Sequence, residues 1–162
     1  MILGKDRIQE LVEQSALLES FSPDSLGGAG YDLRIGRAYR LKGGGALLVD
    51  GKNNPEVEEL EGDEFTLKAG EYILIESLEK VNMPPNLVAR ILPRSTIFRN
   101  GCSLITALVD PGFRGTLTMG LKNLSGHEFR FQRNARVAQI VFEEVSGETK
   151  EYDGHYQGGK VV

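Results

Sequence analysis

The segment Pro93-Arg94-Ser95-Thr96-Ile97-Phe98-Arg99-Asn100-Gly101 combines two arginines with two hydroxyl side chains. Pro93 should end a strand. Ser95 or Thr96 could cap a short helix that Gly101 would end. Backbone N–H groups at a helix start, hydroxyl donors and guanidinium groups together suit the oxygens of a phosphate. The segment therefore predicts an anion site, and the alternative is an ordinary capped turn with solvated arginines.

A second segment, Ala107-Leu108-Val109-Asp110-Pro111-Gly112-Phe113-Arg114-Gly115, places an acid between an apolar strand and a Pro-Gly turn. A carboxylate held there could orient a water molecule as a general base, or it could simply cap the turn. Phe113 would project from the turn, where its ring could cover a bound sugar and base.

Two further polar groups fall within strand-like sequence. Gly30-Tyr31-Asp32-Leu33-Arg34-Ile35-Gly36 carries opposite charges two residues apart, which a surface salt bridge would explain. In Asn134-Ala135-Arg136-Val137-Ala138-Gln139, the amide of Gln139 lies in an otherwise apolar strand and must find partners. Those partners could be structural hydrogen bonds or a ligand.

The elements that must position these segments are mainly β-strands. Residues 6–15 predict a short amphipathic helix, and strand patterns follow at 65–67, 72–75, 87–92, 116–122 and 137–142. Turn signals recur about every eight to twelve residues, which is typical of a sandwich, jelly roll or barrel. Residues 43–62 predict a solvent-exposed hairpin excursion. We expect one domain over 1–162, with an N-terminal helical segment at 1–20 and a flexible tail at 147–162 that lacks periodicity.

Composition narrows the classes of function. A length of 162 residues suits one domain, and a net charge of −4 argues against direct nucleic-acid binding, which needs a basic surface. The single cysteine, Cys102, excludes a disulfide framework and a multi-cysteine zinc site. Apolar runs are far shorter than a membrane span and no signal peptide is visible, so we expect a cytoplasmic protein without membrane contact.

Five sequence words in a fixed order identify a resemblance to a known superfamily. They are GYDLRIG, PRSTIFRNG, ALVDPGFRG, NARVAQIVF and the terminal YQGG. Over nearly its whole length the chain resembles the trimeric dUTPases and the zinc-free dCTP deaminases. GYDLRIG and the helix before it are most similar to the deaminase branch, which includes archaeal-type dUTPases.

The resemblance implies a homotrimeric jelly-roll-like β-barrel with a short helix after the PRST word and nucleotide sites between subunits. Asp110 matches the acid that activates water in dUTPases, and Phe113 matches the aromatic residue near the deoxyribose. Asp32 matches an acid associated with hydrated magnesium. Residues that match groups near the phosphates are Arg94, Ser95, Thr96, Arg99 and Gln139. Residues that fall in a tail expected to close over the nucleotide are Tyr152, Tyr156 and Gln157.

The reaction implied by the resemblance is attack of water on the α-phosphorus of dUTP, which releases dUMP and pyrophosphate. Magnesium, the implied cofactor, suits this chemistry because it binds phosphate oxygens while keeping several water ligands. Arginines and backbone N–H groups would stabilise the charge that develops on the phosphates.

One departure from the family separates the two activities. Deaminases of this superfamily carry a glutamate on the strand after the aspartate turn, and the matching residue here is Gly120. Alternation places Leu117, Met119 and Leu121 on the apolar face, so residue 120 points to the opposite face. Attack of water at C4 of cytosine needs a proton shuttle, and no other acid lies on this strand.

The sequence therefore predicts a dUTP diphosphatase. The alternatives are a dCTP deaminase, a bifunctional dCTP deaminase and dUTPase, and a non-catalytic trimer that binds a nucleotide or a protein. In the tail, His155 stands where the family has a lysine and Gly159 where it has a glutamine. These two departures leave the individual contacts of the tail open.

Overall fold

The structure is a computed structural model that describes residues 1–162. Two α-helices are present, α1 (Lys5–Ser15) and α2 (Ser95–Arg99), together with a short 3-10 helix at Pro23–Ser25. The strands are β1 (Leu18–Glu19), β2 (Leu26–Gly27), β3 (Gly30–Leu41), β4 (Ala46–Leu48), β5 (Gly51–Asn53), β6 (Val57–Glu59), β7 (Glu64–Leu67), β8 (Tyr72–Asn82), β9 (Leu87–Pro93), β10 (Cys102–Ile105), β11 (Arg114–Asn123), β12 (Phe129–Gln132) and β13 (Arg136–Glu144).

The main sheet runs in the order β10-β11-β8-β3-β13-β9, and all of its neighbouring strands are antiparallel. Its two ends approach each other. Val109, which follows β10, forms an isolated bridge with Ala89 of β9, and the Thr106 hydroxyl donates to the Ile91 carbonyl at 2.9 Å. These contacts nearly close the sheet into a barrel, so the predicted mainly-β, jelly-roll-like architecture is confirmed.

Alternating side chains fill the barrel. Along β8 every second side chain is buried, from Ile73 and Ile75 through Ser77 and Glu79 to Val81, while the alternate residues are more exposed. Along β11, Leu117, Met119 and Leu121 are buried, as the alternation predicted. Because successive side chains of a strand point to opposite faces, the other face of β11 is left for polar groups and for Gly120.

The N-terminal helix is confirmed within one residue of its predicted start. Its Ile8 side chain is fully buried, and Leu11 and Val12 pack against the core. The helix therefore covers the outside of the barrel with one apolar face, as its periodicity indicated. Neither α1 nor α2 is long and apolar enough to cross a membrane.

The excursion after β3 contains the predicted hairpin. β4 pairs with β5, and this hairpin carries the exposed side chains of Leu47, Leu48 and Val49. The second part of the excursion differs from the expectation of full solvent exposure, because β6 returns to pair with the end of β3. Val57 lies opposite Leu41 there, so its partial burial against the sheet replaces exposure to water.

Candidate functional site

Asp110 begins a tight turn. The N–H of Phe113 donates to the Asp110 carbonyl at 3.2 Å, and Gly112 at the third position has φ +77°. A proline followed by a residue with positive φ gives a type II turn, which favours glycine at that position. Two backbone hydrogen bonds with Met83 hold the turn. The Gly112 N–H donates to the Met83 carbonyl at 3.1 Å, and the Met83 N–H donates to the Phe113 carbonyl at 2.9 Å. The acid is therefore held on a rigid backbone, as predicted.

A cavity of about 410 Å³ opens beside this turn, within the range of small-molecule sites. Asp110 and Phe113 form one side, and Asp110 is the only acidic side chain that lines the cavity. The floor is formed by residues of β8 and β11, namely Tyr72, Leu74, Thr116, Leu117 and Thr118. Most of the lining is apolar, so the few polar groups stand out as candidates for orienting a ligand.

The C-terminal tail lies over the cavity. The Gln157 side chain accepts from the Arg114 N–H at 2.8 Å and donates to the Gly112 carbonyl at 3.0 Å. Tyr152 packs edge-on against Phe113, with ring centroids 5.6 Å apart, and both rings line the cavity. The predicted tail residues are thus brought together with Asp110 and Phe113. The expected mobility of the tail without nucleotide stays a prediction.

The exposed hairpin contacts the same tail. The Lys52 ammonium donates to the Tyr156 hydroxyl at 2.8 Å, and the Asn54 amide donates to it at 3.1 Å. These hydrogen bonds lower the pKa of the Tyr156 phenol. The sequence patterns did not indicate this contact, because the hairpin and the tail are about a hundred residues apart.

A second group of predicted residues lies at the end of β9. Asp32 and Gln139 are opposite each other in the pairing of β3 with β13, and Arg94 follows the last pair of β13 with β9. The Arg94 Nε lies 3.3 Å from the Asp32 carboxylate. Asp32 therefore pairs with Arg94 and not with Arg34, which corrects the predicted salt bridge within GYDLRIG.

Helix α2 begins differently from the prediction. Arg94, in an extended conformation, is the N-cap residue and makes no side-chain cap hydrogen bond. Its N–H still belongs to the sheet, where it donates to the Val137 carbonyl at 3.1 Å, so the helical turn starts only afterwards. Ser95 and Thr96 are therefore the first helical residues, and with Arg99 they are exposed to solvent. Gly101, with φ +75°, follows the end of the helix as predicted.

The predicted site residues thus form two groups within one chain. The cavity is lined by Asp110, Phe113, Tyr152 and Tyr156. None of the residues predicted to contact phosphate or hydrated magnesium lines it; these are Asp32, Arg94, Ser95, Thr96, Arg99 and Gln139.

Arg34 has a partner that the sequence analysis missed. Glu79 is fully buried and accepts from the Arg34 Nε at 2.7 Å, from the Arg34 N–H at 2.9 Å and from the Tyr31 hydroxyl at 2.9 Å. Burial, with the Glu79 charge, raises the pKa of the Tyr31 phenol. The sequence did contain a signal for this partner: Glu79 precedes Val81 by two residues in an alternating strand, so both side chains point inward, and a buried carboxylate needs a partner.

Two more side chains near the cavity were missed. Glu76 lies opposite Thr118 in the pairing of β8 with β11, and burial raises the pKa of its carboxyl. Tyr72 lies against Gly120, and burial raises the pKa of its phenol. Both residues belong to the strand next to β11, so only the strand pairing shows that they are neighbours of position 120.

The acidic residues offer no preformed metal cage, because no three side chains of the His, Cys, Asp and Glu types lie together. Asp32 provides one partly exposed carboxylate beside Arg94. One carboxylate fits magnesium that is held mainly by substrate phosphates and water, since this ion keeps several water ligands.

Comparisons with known proteins agree with this architecture. The chain is 40% identical, over 80% of its length and 85% of the relative's, to a probable deoxyuridine 5'-triphosphate nucleotidohydrolase of Methanothermobacter thermautotrophicus. It is 34% identical to a dCTP deaminase of Pyrococcus furiosus, over 91% of this chain and 88% of the relative.

Among solved structures, a 2'-deoxycytidine 5'-triphosphate deaminase from Agrobacterium tumefaciens matches with a TM-score of 0.70 and 20% identity. The match covers 87% of this chain but only 46% of that deaminase, and it shows a shared fold. A family profile described as dCTP deaminase-like matches residues 2–145. The chain therefore belongs to the dCTP deaminase-like family, whose relatives here are named for processing either dUTP or dCTP.

Proposed function

We propose that the protein is a dUTP diphosphatase, which hydrolyses dUTP to dUMP and pyrophosphate. The observation that carries this proposal is the chemistry of the cavity. Asp110 is its only acidic side chain, and Gly120 leaves β11 without a carboxylate on the cavity side. One acid is sufficient for activating a water molecule against phosphorus. Deamination at C4 of cytosine needs a proton shuttle beside the base as well.

Within the pairing of β8 with β11, Glu76 is the acidic residue nearest to Gly120, the position where deaminases of the superfamily carry a glutamate. It lies opposite Thr118, on the same face of the sheet as Gly120. Glu76 also lies opposite Arg37 in the pairing of β3 with β8, and it does not line the cavity. Glu76 is thus occupied by neighbours within the sheet, which supports hydrolysis over deamination.

The roles within the site follow from the two groups of residues. Asp110 accepts a proton from the attacking water, while Phe113 covers the deoxyribose. The guanidinium groups of Arg94 and Arg99 and the hydroxyls of Ser95 and Thr96 bind phosphate oxygens. Magnesium on the phosphates, with Asp32 contacting its water ligands, would neutralise charge on the triphosphate. Gln139 lies beside Asp32 and donates its amide near the phosphates.

A trimer with sites between subunits would unite the two groups. In one chain, the residues assigned to the phosphates are absent from the cavity that contains Asp110. Large apolar side chains near α2 and β10 are also exposed, including Phe98 at 56%, Ile105 at 52% and Leu124 at 69%. Exposed apolar patches of this kind mark interaction surfaces. Their burial between subunits would bring α2 of one chain toward Asp110 of another.

The test is a product assay on the purified protein with dUTP, dCTP and magnesium. We expect pyrophosphate from dUTP and no ammonia from either nucleotide. Ammonia from dCTP without pyrophosphate would identify a deaminase, and both products would identify a bifunctional enzyme. Binding of dUTP without either product would identify a non-catalytic nucleotide-binding protein.

A further inference from the structure

A neighbouring ring occupies the space that a side chain at position 120 would fill. A Cβ atom on Gly120 would lie 2.5 Å from the Tyr72 hydroxyl oxygen, 2.8 Å from Cε2 and 3.0 Å from Cζ. Gly120 is not among the glycines with positive φ, so its backbone conformation does not require glycine. What favours glycine is the close approach of the Tyr72 ring, because the ring fits in this position only when residue 120 has no side chain.

The Tyr72 ring brings a hydroxyl group into the cavity in place of the family's carboxylate. Tyr72 lines the cavity together with Leu74 and Thr118. Burial raises the pKa of its phenol above the ordinary value for a tyrosine. The phenol consequently remains protonated and free to donate.

A second unpaired hydroxyl lies on the same floor. Thr118 Oγ1 is buried and has no hydrogen-bond partner. Thr118 follows an irregularity in the pairing of β11 with β8, where Leu117 N–H is satisfied by the Ser77 hydroxyl at 2.9 Å. Such irregularities redirect side chains next to binding sites. A buried hydroxyl without a partner destabilises the protein, and a ligand atom in the cavity would remove that penalty.

We propose that the hydroxyls of Tyr72 and Thr118 bind the 4-oxo edge of a pyrimidine base and make the cavity selective for uracil. This inference rests on the proposed function. A phenol is a better donor than acceptor, so Tyr72 favours the O4 carbonyl of uracil over the exocyclic amino group of cytosine. A protonated phenol with a raised pKa is also a much poorer proton acceptor near neutral pH than a carboxylate, so Tyr72 does not supply the proton shuttle that deamination at C4 needs. The same substitution thus accounts for recognition of uracil and for loss of deamination.

The first test replaces Tyr72 by Phe, which keeps the ring and removes the hydroxyl. Because the hydrogen bond to the base is made equally in the ground and transition states, KM for dUTP should rise about 3- to 10-fold while kcat is unchanged. The preference for dUTP over dCTP, as the ratio of kcat/KM, should fall by a similar factor. Tyr39→Phe is the matched control, since Tyr39 lies opposite Leu74 on the same sheet face but does not line the cavity.

The second test replaces Thr118 by Val, which has nearly the same shape. Removal of an unpaired buried hydroxyl should raise Tm in the absence of nucleotide, while KM for dUTP rises. A structural role alone would change Tm without changing KM. Thr66→Val, at an exposed position of β7, is the control.

The wild-type assay comes first, so that the two proposals can fail separately. Absence of dUTP hydrolysis by the wild type would reject the proposed function, and calorimetric titration with dUMP and dCMP would then compare the variants by affinity. Unchanged KM, or unchanged affinity, for the uracil nucleotide in both Tyr72→Phe and Thr118→Val would overturn the base-recognition role. A higher KM, or a lower affinity, for the uracil nucleotide alone in either variant, and not in its control, would support that role.

Discussion

Asp110 is the residue on which hydrolysis should depend most. Its backbone is held by the type II turn and by Met83, so Asp110→Asn should keep the fold while it removes the proton acceptor. We expect kcat for dUTP to fall roughly 10²- to 10⁴-fold, the usual contribution of a general base, which is about 3–5 kcal/mol of barrier. Steady-state pyrophosphate release measures this. Asp24→Asn, at an exposed position, should have no effect, and full turnover by Asp110→Asn would remove this residue from the mechanism.

Glu76 should make stability depend on pH. Burial raises the pKa of its carboxyl in the folded protein, with the Glu59 charge in the same direction and Arg37 opposing. A raised pKa stabilises the fold below the ordinary pKa of a glutamate, and that contribution is lost as the pH rises through the folded-state pKa. Glu76→Gln keeps a neutral group at every pH. Its Tm advantage over the wild type should therefore be absent at low pH and appear toward neutral pH in thermal melts; a constant difference would contradict this.

The C-terminal tail is the element whose order should depend on the ligand. It is held over the cavity by a few contacts, chiefly those of Gln157 with the 110–114 turn and of Tyr156 with the hairpin. We expect rapid amide exchange at residues 152–162 in the empty enzyme and slower exchange with a non-hydrolysable dUTP analogue, as for other closing segments. Truncation after Glu151 should lower activity but leave the number of subunits in the oligomer unchanged. Full activity of the truncated protein would show that closure is dispensable.

The hairpin provides a milder version of that test. Lys52→Met keeps an unbranched side chain but removes the donor to Tyr156. If β4 and β5 help to hold the tail, this variant should increase amide exchange at residues 152–162 with the nucleotide analogue bound. Lys42→Met is the control, because Lys42 is likewise exposed but pairs with Glu58 and does not line the cavity. Equal amide exchange at residues 152–162 in both variants would show that the hairpin does not help to hold the tail.

At the scale of the whole molecule, we expect each active site to form only between two subunits. Asp110→Asn and Arg94→Ala should each be inactive, but chains of the two variants that are unfolded and refolded together should recover activity. Random assembly leaves both residues intact in about a quarter of the sites formed between two different subunits, so about a quarter of wild-type activity should return. Mixing without refolding is the control. No recovery would mean that each chain completes its own site.

Much of the architecture and of the candidate site could be read along the chain because it depends on local chemistry. The apolar face of α1, the alternation in β11 and the Pro-Gly turn after Asp110 are each determined by residues within a few positions of one another. The order of the five motif words likewise identified the family. These features survive folding because the backbone preferences and the burial pattern agree.

Strand register and tertiary packing decided the remaining features. Asp32 and Arg34 are neighbours in sequence, yet Asp32 pairs with Arg94 and Arg34 with the buried Glu79, because side chains are matched across strands that are far apart along the chain. The ring of Tyr72 against Gly120 was likewise invisible before β8 was paired with β11. A sequence shows which residue a strand lacks, but only the fold shows which neighbouring side chain occupies the space, because packing joins residues without regard to their separation along the chain.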